Sequence, residues 1–144
     1  MGATEKIARF IVDTGYDGIA RDAVEKAKRT ALDCLGAALA GVGEPVSQTI
    51  TGYAAKLGGP AQASVFGAVL KISVSDAALA NGCIAHALDY DDCGVKIGHP
   101  CVLVLPAVLS FGEHLSASGR DILTAYILGL EVEGKLGLHA AFKL

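Results

Sequence analysis

The amino-acid sequence predicts an all-α protein, a bundle of helices with at most one short extended segment near residues 63–67. Apolar residues recur at helical spacing along most of the chain, and short glycine-rich turns separate the periodic stretches. The composition, 52% hydrophobic and 19% charged, excludes intrinsic disorder. We expect residues 1–144 to form one helical domain.

The first part of the chain predicts three helices. Residues 4–14 form a short amphipathic segment that ends at Gly15. Residues 19–40 carry the clearest helical stripe, and their second half is wholly apolar, so we expect it to be buried on all sides. Residues 46–57 predict the third helix, because Gly-Gly-Pro follows directly.

The second part of the chain predicts the extended segment and three further helices. Ser75 is the expected N-cap of a helix that runs from residue 76 to residue 90 or beyond. A glycine-containing loop separates it from residues 103–115, and the last helix covers residues 121–136.

Charge and hydropathy exclude several classes of function. The net charge is −3 and no basic stripe is present, so nucleic acid is not an expected partner. No apolar run reaches the roughly 18 residues of a membrane span, and the first residues do not form a signal peptide, so we expect a cytoplasmic protein without a membrane partner. The apolar excess predicts association as a homodimer or with a complementing chain.

One constellation carries possible chemistry, at the end of the helix predicted from residue 76. On a continuing helix His86, Asp89 and Cys93 share one face. Carboxylates at the negative end of a helix cost about 0.3–1 kcal/mol each when exposed, so a helix selected only for stability would not place them there. This pattern favours an acid/base role for Asp89. His99 returns beside it because the intervening loop contains two glycines.

Structural interpretations stand beside the functional one. Asp89 is either a site residue or a carboxylate that ties down the His99 loop, and His86 is either a site residue or a satisfied helix histidine. Asp91 rotates away by about 200° on a helix, so we expect it at the surface. A metal site is the rival hypothesis, with ligands from His86, Asp89, Asp92 and His99. These residues lack the usual i,i+4 ligand pair, so the sequence predicts no metal.

Several short motifs, in this order, resemble the MmgE/PrpD family. The most specific is His86-Ala-Leu-Asp-Tyr-Asp-Asp, followed by His99-Pro100. The resemblance also includes residues 32–36, 57–60, 64–67, 77–82, 105–107, 118–121 and 129–132. Together these motifs cover most of the chain.

The resemblance implies a metal-independent enzyme without a cofactor, which eliminates, isomerises or decarboxylates small polycarboxylates. It places catalytic roles on Asp89 and His99. Cys93 stands where the family usually has Thr, and a thiol is the weaker hydrogen-bond donor. With His86 and Lys96, the one cation near the motif, Cys93 completes the expected substrate-binding set.

The resemblance also implies a longer protein, with an all-α main domain and a second, smaller α+β domain. The later His and Lys residues of the family's site, and the second domain, have no counterpart in these 144 residues. We therefore expect an N-terminal fragment or truncated member of the family, inactive alone. The alternative is a catalytically silent helical module for assembly.

Overall fold

The computed structural model describes residues 2–94 and 98–139, with the side chain of residue 139 left out. Within that part of the chain it contains six α-helices, one 3-10 turn and one two-stranded hairpin, which confirms the all-α prediction. The elements are α1 (Ala3–Asp13), the 3-10 turn (Tyr16–Gly18), α2 (Arg21–Gly41), α3 (Pro45–Leu57), β1 (Ala63–Ser64), β2 (Lys71–Ile72), α4 (Val74–Ala85), α5 (Pro100–Leu115) and α6 (Gly119–His139). None of the described helices is long and apolar enough to cross a bilayer.

The core is built around α4 and α5, which pack along each other, with α2, α3 and α6 against them. The buried face of α4 is made of small side chains, including Ala77 and Ala80, so neighbouring helices approach closely. Gly41 of α2 marks the tightest approach to this helix. A Cβ atom there would lie 2.5 Å from the carbonyl oxygen of Ile84.

The apolar second half of α2 is buried on one face only, which corrects the prediction that it is buried all round. Cys34 and Ala38 lie in the core, whereas Leu39 is 71% exposed. The described neighbours of α2 are α4, α5 and α6, and they leave its opposite face open. The apolar residues of this half of α2 therefore form two faces, one that packs on the core and one that is exposed.

The first two residues of the predicted extended segment 63–67 form the first strand of the hairpin, and Phe66 and Gly67 lie in the turn that follows. The strands pair antiparallel, with Ala63 opposite Ile72 and Ser64 opposite Lys71. Glu113 of α5 accepts hydrogen bonds from the backbone nitrogen and hydroxyl of Ser64, at 2.7 and 2.8 Å, and its Oε1 lies 2.7 Å from Nζ of Lys71. The contacts with Lys71 and Ser64 lower the pKa of Glu113 to about 2. This carboxylate joins both strands to α5.

Helix α4 begins and ends earlier than the sequence predicts. Ser73, not Ser75, is its N-cap, and its Oγ accepts from the backbone nitrogen of Asp76 at 3.2 Å. A serine three residues before an acidic residue is the standard N-terminal pairing, which favours the earlier position. At the other end the helix stops at Ala85, and Asp89 adopts a left-handed backbone with φ 53°. The prediction that this helix reaches Tyr90 is therefore wrong in its last turn.

A buried polar contact supports the start of α5. The hydroxyl of Tyr126, which is fully buried in α6, donates to Sγ of Cys101 at 2.7 Å and lies 3.1 Å from Oγ1 of Thr30 in α2. Because these three residues belong to three different helices, the contact fixes the beginning of α5 relative to α2 and α6.

Candidate active site

The candidate site lies where the end of α4 meets the beginning of α5. His86 follows the last residue of α4, and His99 precedes Pro100, the first residue of α5. Proline is well suited to a first helical position because it needs no donor there and its φ is already helical. Since α4 and α5 pack together, the two imidazole rings come close, with centroids 4.7 Å apart and planes tilted by 58°.

Asp91 lies behind the two histidines and is shared by them. Its Oδ1 is 2.9 Å from Nδ1 of His86, and its Oδ2 is 3.0 Å from Nδ1 of His99. Its side chain has no exposed surface. The prediction that Asp91 is a surface residue is therefore wrong, because the 100° rotation per residue applies only while the helix continues. The chain reverses at Asp89 and turns Asp91 inward.

Asp89 lies on the open side of the same histidines. Its Oδ1 is 3.5 Å from Nε2 of His99 and 3.8 Å from Nε2 of His86, and 77% of its side chain is exposed. The structure therefore brings together the three residues that the sequence singled out, His86, Asp89 and His99. It does so through a turn, and the shared helical face that predicted the contact between His86 and Asp89 is absent.

Two further predicted site residues are less constrained by the structure. Cys93 is exposed and precedes Gly94, whose backbone nitrogen donates to the carbonyl oxygen of Gly98 at 2.7 Å. Lys96 lies outside the described residues. The substrate-binding roles of Cys93 and Lys96 remain predictions.

Asp92 caps the first turn of the helix that follows, α5. Its Oδ1 accepts from the backbone nitrogen of Cys101 at 3.2 Å, in the first turn of α5, where helix amide groups lack intrahelical partners. A negative charge is favourable at this end of a helix. The three carboxylates of the motif thus have three environments: Asp89 is open, Asp91 is buried between imidazoles, and Asp92 caps α5.

An apolar groove runs from His86 along α4 and α5. It encloses about 380 Å³, and its walls include Leu79, Cys83, Val102 and Leu103, with His86 at one end. No Lys or Arg lines this groove among the described residues. Any polyanion bound at the histidines would need cations from elsewhere, because a dry site for several carboxylates requires compensating charge.

The arrangement is suited to holding or transferring a proton. Imidazole and carboxylate groups within reach of each other at an accessible edge are the usual components of general acid/base catalysis. His86, Asp91 and His99 also offer possible metal-ligand atoms within 4.8 Å of one another. This set differs from the rival ligand set of the sequence, since Asp91 replaces Asp89 and Asp92. Metal independence remains a prediction.

Fold and site together define a helical domain that presents acid/base side chains at the junction of two packed helices. The family model of the MmgE/PrpD N-terminal domain matches residues 5–143. The chain belongs to the MmgE/PrpD family.

Relatives in this family are cis-aconitate decarboxylases. The mouse protein (Mus musculus) is 30% identical over 138 residues, which is 92% of this chain and 28% of the relative. The human protein (Homo sapiens) is 31% identical over 143 residues, 96% of this chain and 30% of the relative. The protein from Aspergillus terreus is 28% identical over 142 residues, 94% of this chain and 29% of the relative. The chain thus spans less than a third of the length of these relatives.

Proposed function

We propose that this chain carries part of the active site of a metal-independent lyase or isomerase that acts on small polycarboxylates. The observation that carries the proposal is the accessible pair of Asp89 and His99, with Oδ1 and Nε2 3.5 Å apart, next to His86. The similarity to cis-aconitate decarboxylases supports decarboxylation or a related elimination.

Both reactions need a proton to be moved at a carbon beside a carboxylate. In a decarboxylation the bond to the departing carboxylate breaks, CO₂ leaves, and the electron pair left on carbon takes up a proton. In an elimination of water a proton leaves carbon, and hydroxide departs with a second proton. Asp89 and His99 are the groups we assign to these transfers, since each is at the open edge of the site.

The remaining charge of the substrate must be met by groups beyond this helix junction. Lys96 is the cation, and His86 the second side chain, that we assign to this chain's share of substrate binding. Because the chain spans less than a third of its relatives, we propose that further cations come from another part of the same protein or from a complementing chain.

A second candidate function is a catalytically silent assembly module. The exposed apolar side chains favour it, in particular Leu39 on α2 and Leu103 on α5. In this case the helix junction would be a structural remnant and the apolar faces would be the functional surface.

The decisive experiment measures turnover of cis-aconitate and 2-methylcitrate by this chain and by the longest polypeptide that its gene encodes. In whichever form is active, we expect Asp89→Asn to lower kcat at least roughly 10²-fold, because a general acid/base group contributes about 10²–10⁴-fold. Asparagine tolerates the left-handed backbone of residue 89, so the variant should keep its fold and melting temperature.

Asp13→Asn is the matched control, since it neutralises an exposed aspartate at the end of α1 and should leave turnover within about three-fold. Treatment with a chelator should leave turnover unchanged. Full activity of a folded Asp89→Asn variant would refute the assignment of Asp89. Absence of turnover in every form, together with self-association, would favour the assembly module.

A further inference from the structure

We infer that Asp91 is a positioning residue, which holds both His86 and His99 in the Nδ1–H tautomer and thereby directs two basic Nε2 atoms at Asp89. The consequence of this arrangement for turnover rests on the function proposed above, whereas the tautomers themselves can be measured in the chain alone.

Asp91 has an imidazole nitrogen at each of its two oxygens. The Nδ1 atoms of His86 and His99 lie at 2.9 and 3.0 Å, and the side chain of Asp91 is fully buried. In its ionised form this carboxylate only accepts hydrogen bonds, and both Nδ1 atoms then carry the proton. Bonds from N–H groups to a carboxylate are among the stronger hydrogen bonds, and here they compensate the buried charge.

The opposite side of each ring carries its basic atom. A neutral imidazole with a proton on Nδ1 has a lone pair on Nε2. Both Nε2 atoms face the same oxygen of Asp89, at 3.8 Å for His86 and 3.5 Å for His99. Oδ1 of Asp89 and the two Nε2 atoms therefore lie around one accessible position. A proton bound to one of these three basic atoms is stabilised by the other two.

Asp91 acts through the two imidazoles and does not reach the substrate. Asp91 has no exposed surface, so a substrate at the open edge would touch Asp89 and the imidazoles without touching Asp91. A buried carboxylate behind an imidazole fixes its tautomer and orientation and stabilises the imidazolium that forms when Nε2 takes a proton. One carboxylate does this here for two rings, which makes His86 a second proton acceptor beside His99.

The test reads the ring tautomers of the 144-residue chain by long-range ¹H–¹⁵N correlation NMR near neutral pH. We expect Nδ1–H signals for both His86 and His99, with exposed His114 as the reference ring. Asp91→Asn keeps the shape of the side chain but offers one acceptor and one donor. It should therefore convert one of the two rings to the Nε2–H tautomer. Asp89→Asn is the control and should leave both rings in the Nδ1–H form.

An Nε2–H tautomer at either ring of the unmodified chain would overturn the inference, and this result does not depend on the folding of a variant. An Asp91→Asn variant that is folded and shows two Nδ1–H rings would also overturn it.

The consequence for turnover is tested in the active form of the protein. There Asp91→Asn should lower kcat by roughly 10²-fold or more with little change in KM, since the wrong tautomer impairs proton transfer but not substrate contact. An unchanged kcat would overturn the positioning role. Correct tautomers in a protein that never turns over would instead count against the proposed function and leave the tautomer assignment standing.

Discussion

Asp89 and Asp91 are separated by one residue and have opposite environments. The backbone of Asp89 is left-handed, a conformation that Asp and Asn adopt more readily than most other residues. This residue redirects the chain after α4 has ended at Ala85, and Asp91 lies between His86 and His99. A single unusual φ thus divides the carboxylates of the motif into an accessible one and a buried one.

The cysteines show the same contrast between buried and open side chains. Burial raises the pKa of the Cys34 thiol to about 12, and nearby Asp92 and Asp91 act in the same direction. Burial likewise raises the pKa of the Cys101 thiol to about 12, with a further contribution from Asp92. Cys93 is exposed. Because the thiolate is the reactive form, the cysteines should differ strongly in reactivity.

We therefore expect iodoacetamide at pH 8 to modify Cys93 first in the native chain, with Cys34 and Cys101 at least about 100-fold slower until the protein unfolds. Peptide mass spectrometry over a time course measures each rate. Cys93→Ser should remove the fast phase and leave the others unchanged. Rapid native labelling of Cys34 or Cys101 would contradict the burial described here.

At this scale the sequence predicted the proximity of His86, Asp89 and His99 but misassigned Asp91. The prediction treated residues 76–90 as one helix, and rotation about a helix axis has no meaning beyond its last turn. The available signal was an aspartate-rich segment at the negative end of a helix. Carboxylates are unfavourable at the negative end of a helix, so such a segment favours the end of the helix there. A carboxylate that is then buried needs hydrogen-bond donors, and the two histidines supply them.

Among the elements, the contact between α2 and α4 sets the position of the site. Gly41 lies against the carbonyl oxygen of Ile84, two residues before His86, so α2 supports the end of α4 directly. Any side chain at residue 41 must push these two helices apart.

We expect Gly41→Ala to destabilise the protein by about 1–3 kcal/mol, because the added methyl group would lie 2.5 Å from a backbone atom that cannot move independently. Gly36→Ala in the same helix is the matched control. Nothing lies within 4 Å of its Cβ position, so it should be neutral or stabilising by up to about 1 kcal/mol. Urea unfolding measures both changes. A loss of stability in the control equal to that of Gly41→Ala would refute the steric explanation.

The elements were mostly predictable, and their boundaries less so. Helical periodicity and glycine turns located the six helices of the described residues, and the extended segment supplies the two residues of the first strand. Ser73 caps α4 in place of the predicted Ser75. Both serines are capable caps, but only Ser73 stands three residues before Asp76, a spacing that is visible in the local sequence.

The described part of the molecule exposes many large apolar side chains. Large apolar side chains are exposed on α2 and on α5, among them Leu32, Leu39, Leu103, Phe111 and Leu115. Extended apolar patches of this kind usually mark contact surfaces.

We accordingly expect the purified chain to be a dimer or larger in multi-angle light scattering. Leu103→Glu and Leu39→Glu each place a charge on one of the two apolar faces. The variant at the true contact should shift the mass toward 14.7 kDa, and the other variant serves as its control. A soluble monomer at micromolar concentration in the unmodified chain would contradict the association proposal.

The reversal of the chain between α4 and α5 has a consequence for how the molecule folds. His86 and His99 are 13 residues apart, and the Gly94–Gly98 backbone pair closes the segment between them. Closing a loop of this length costs about 2.3 kcal/mol beyond a constant, against roughly 4 kcal/mol for one of 100 residues. Contacts this local lose little chain entropy when they form, and they need no distant strand as a partner. The two imidazoles and their shared carboxylate therefore come from one short segment of the chain, which α2 supports through Gly41.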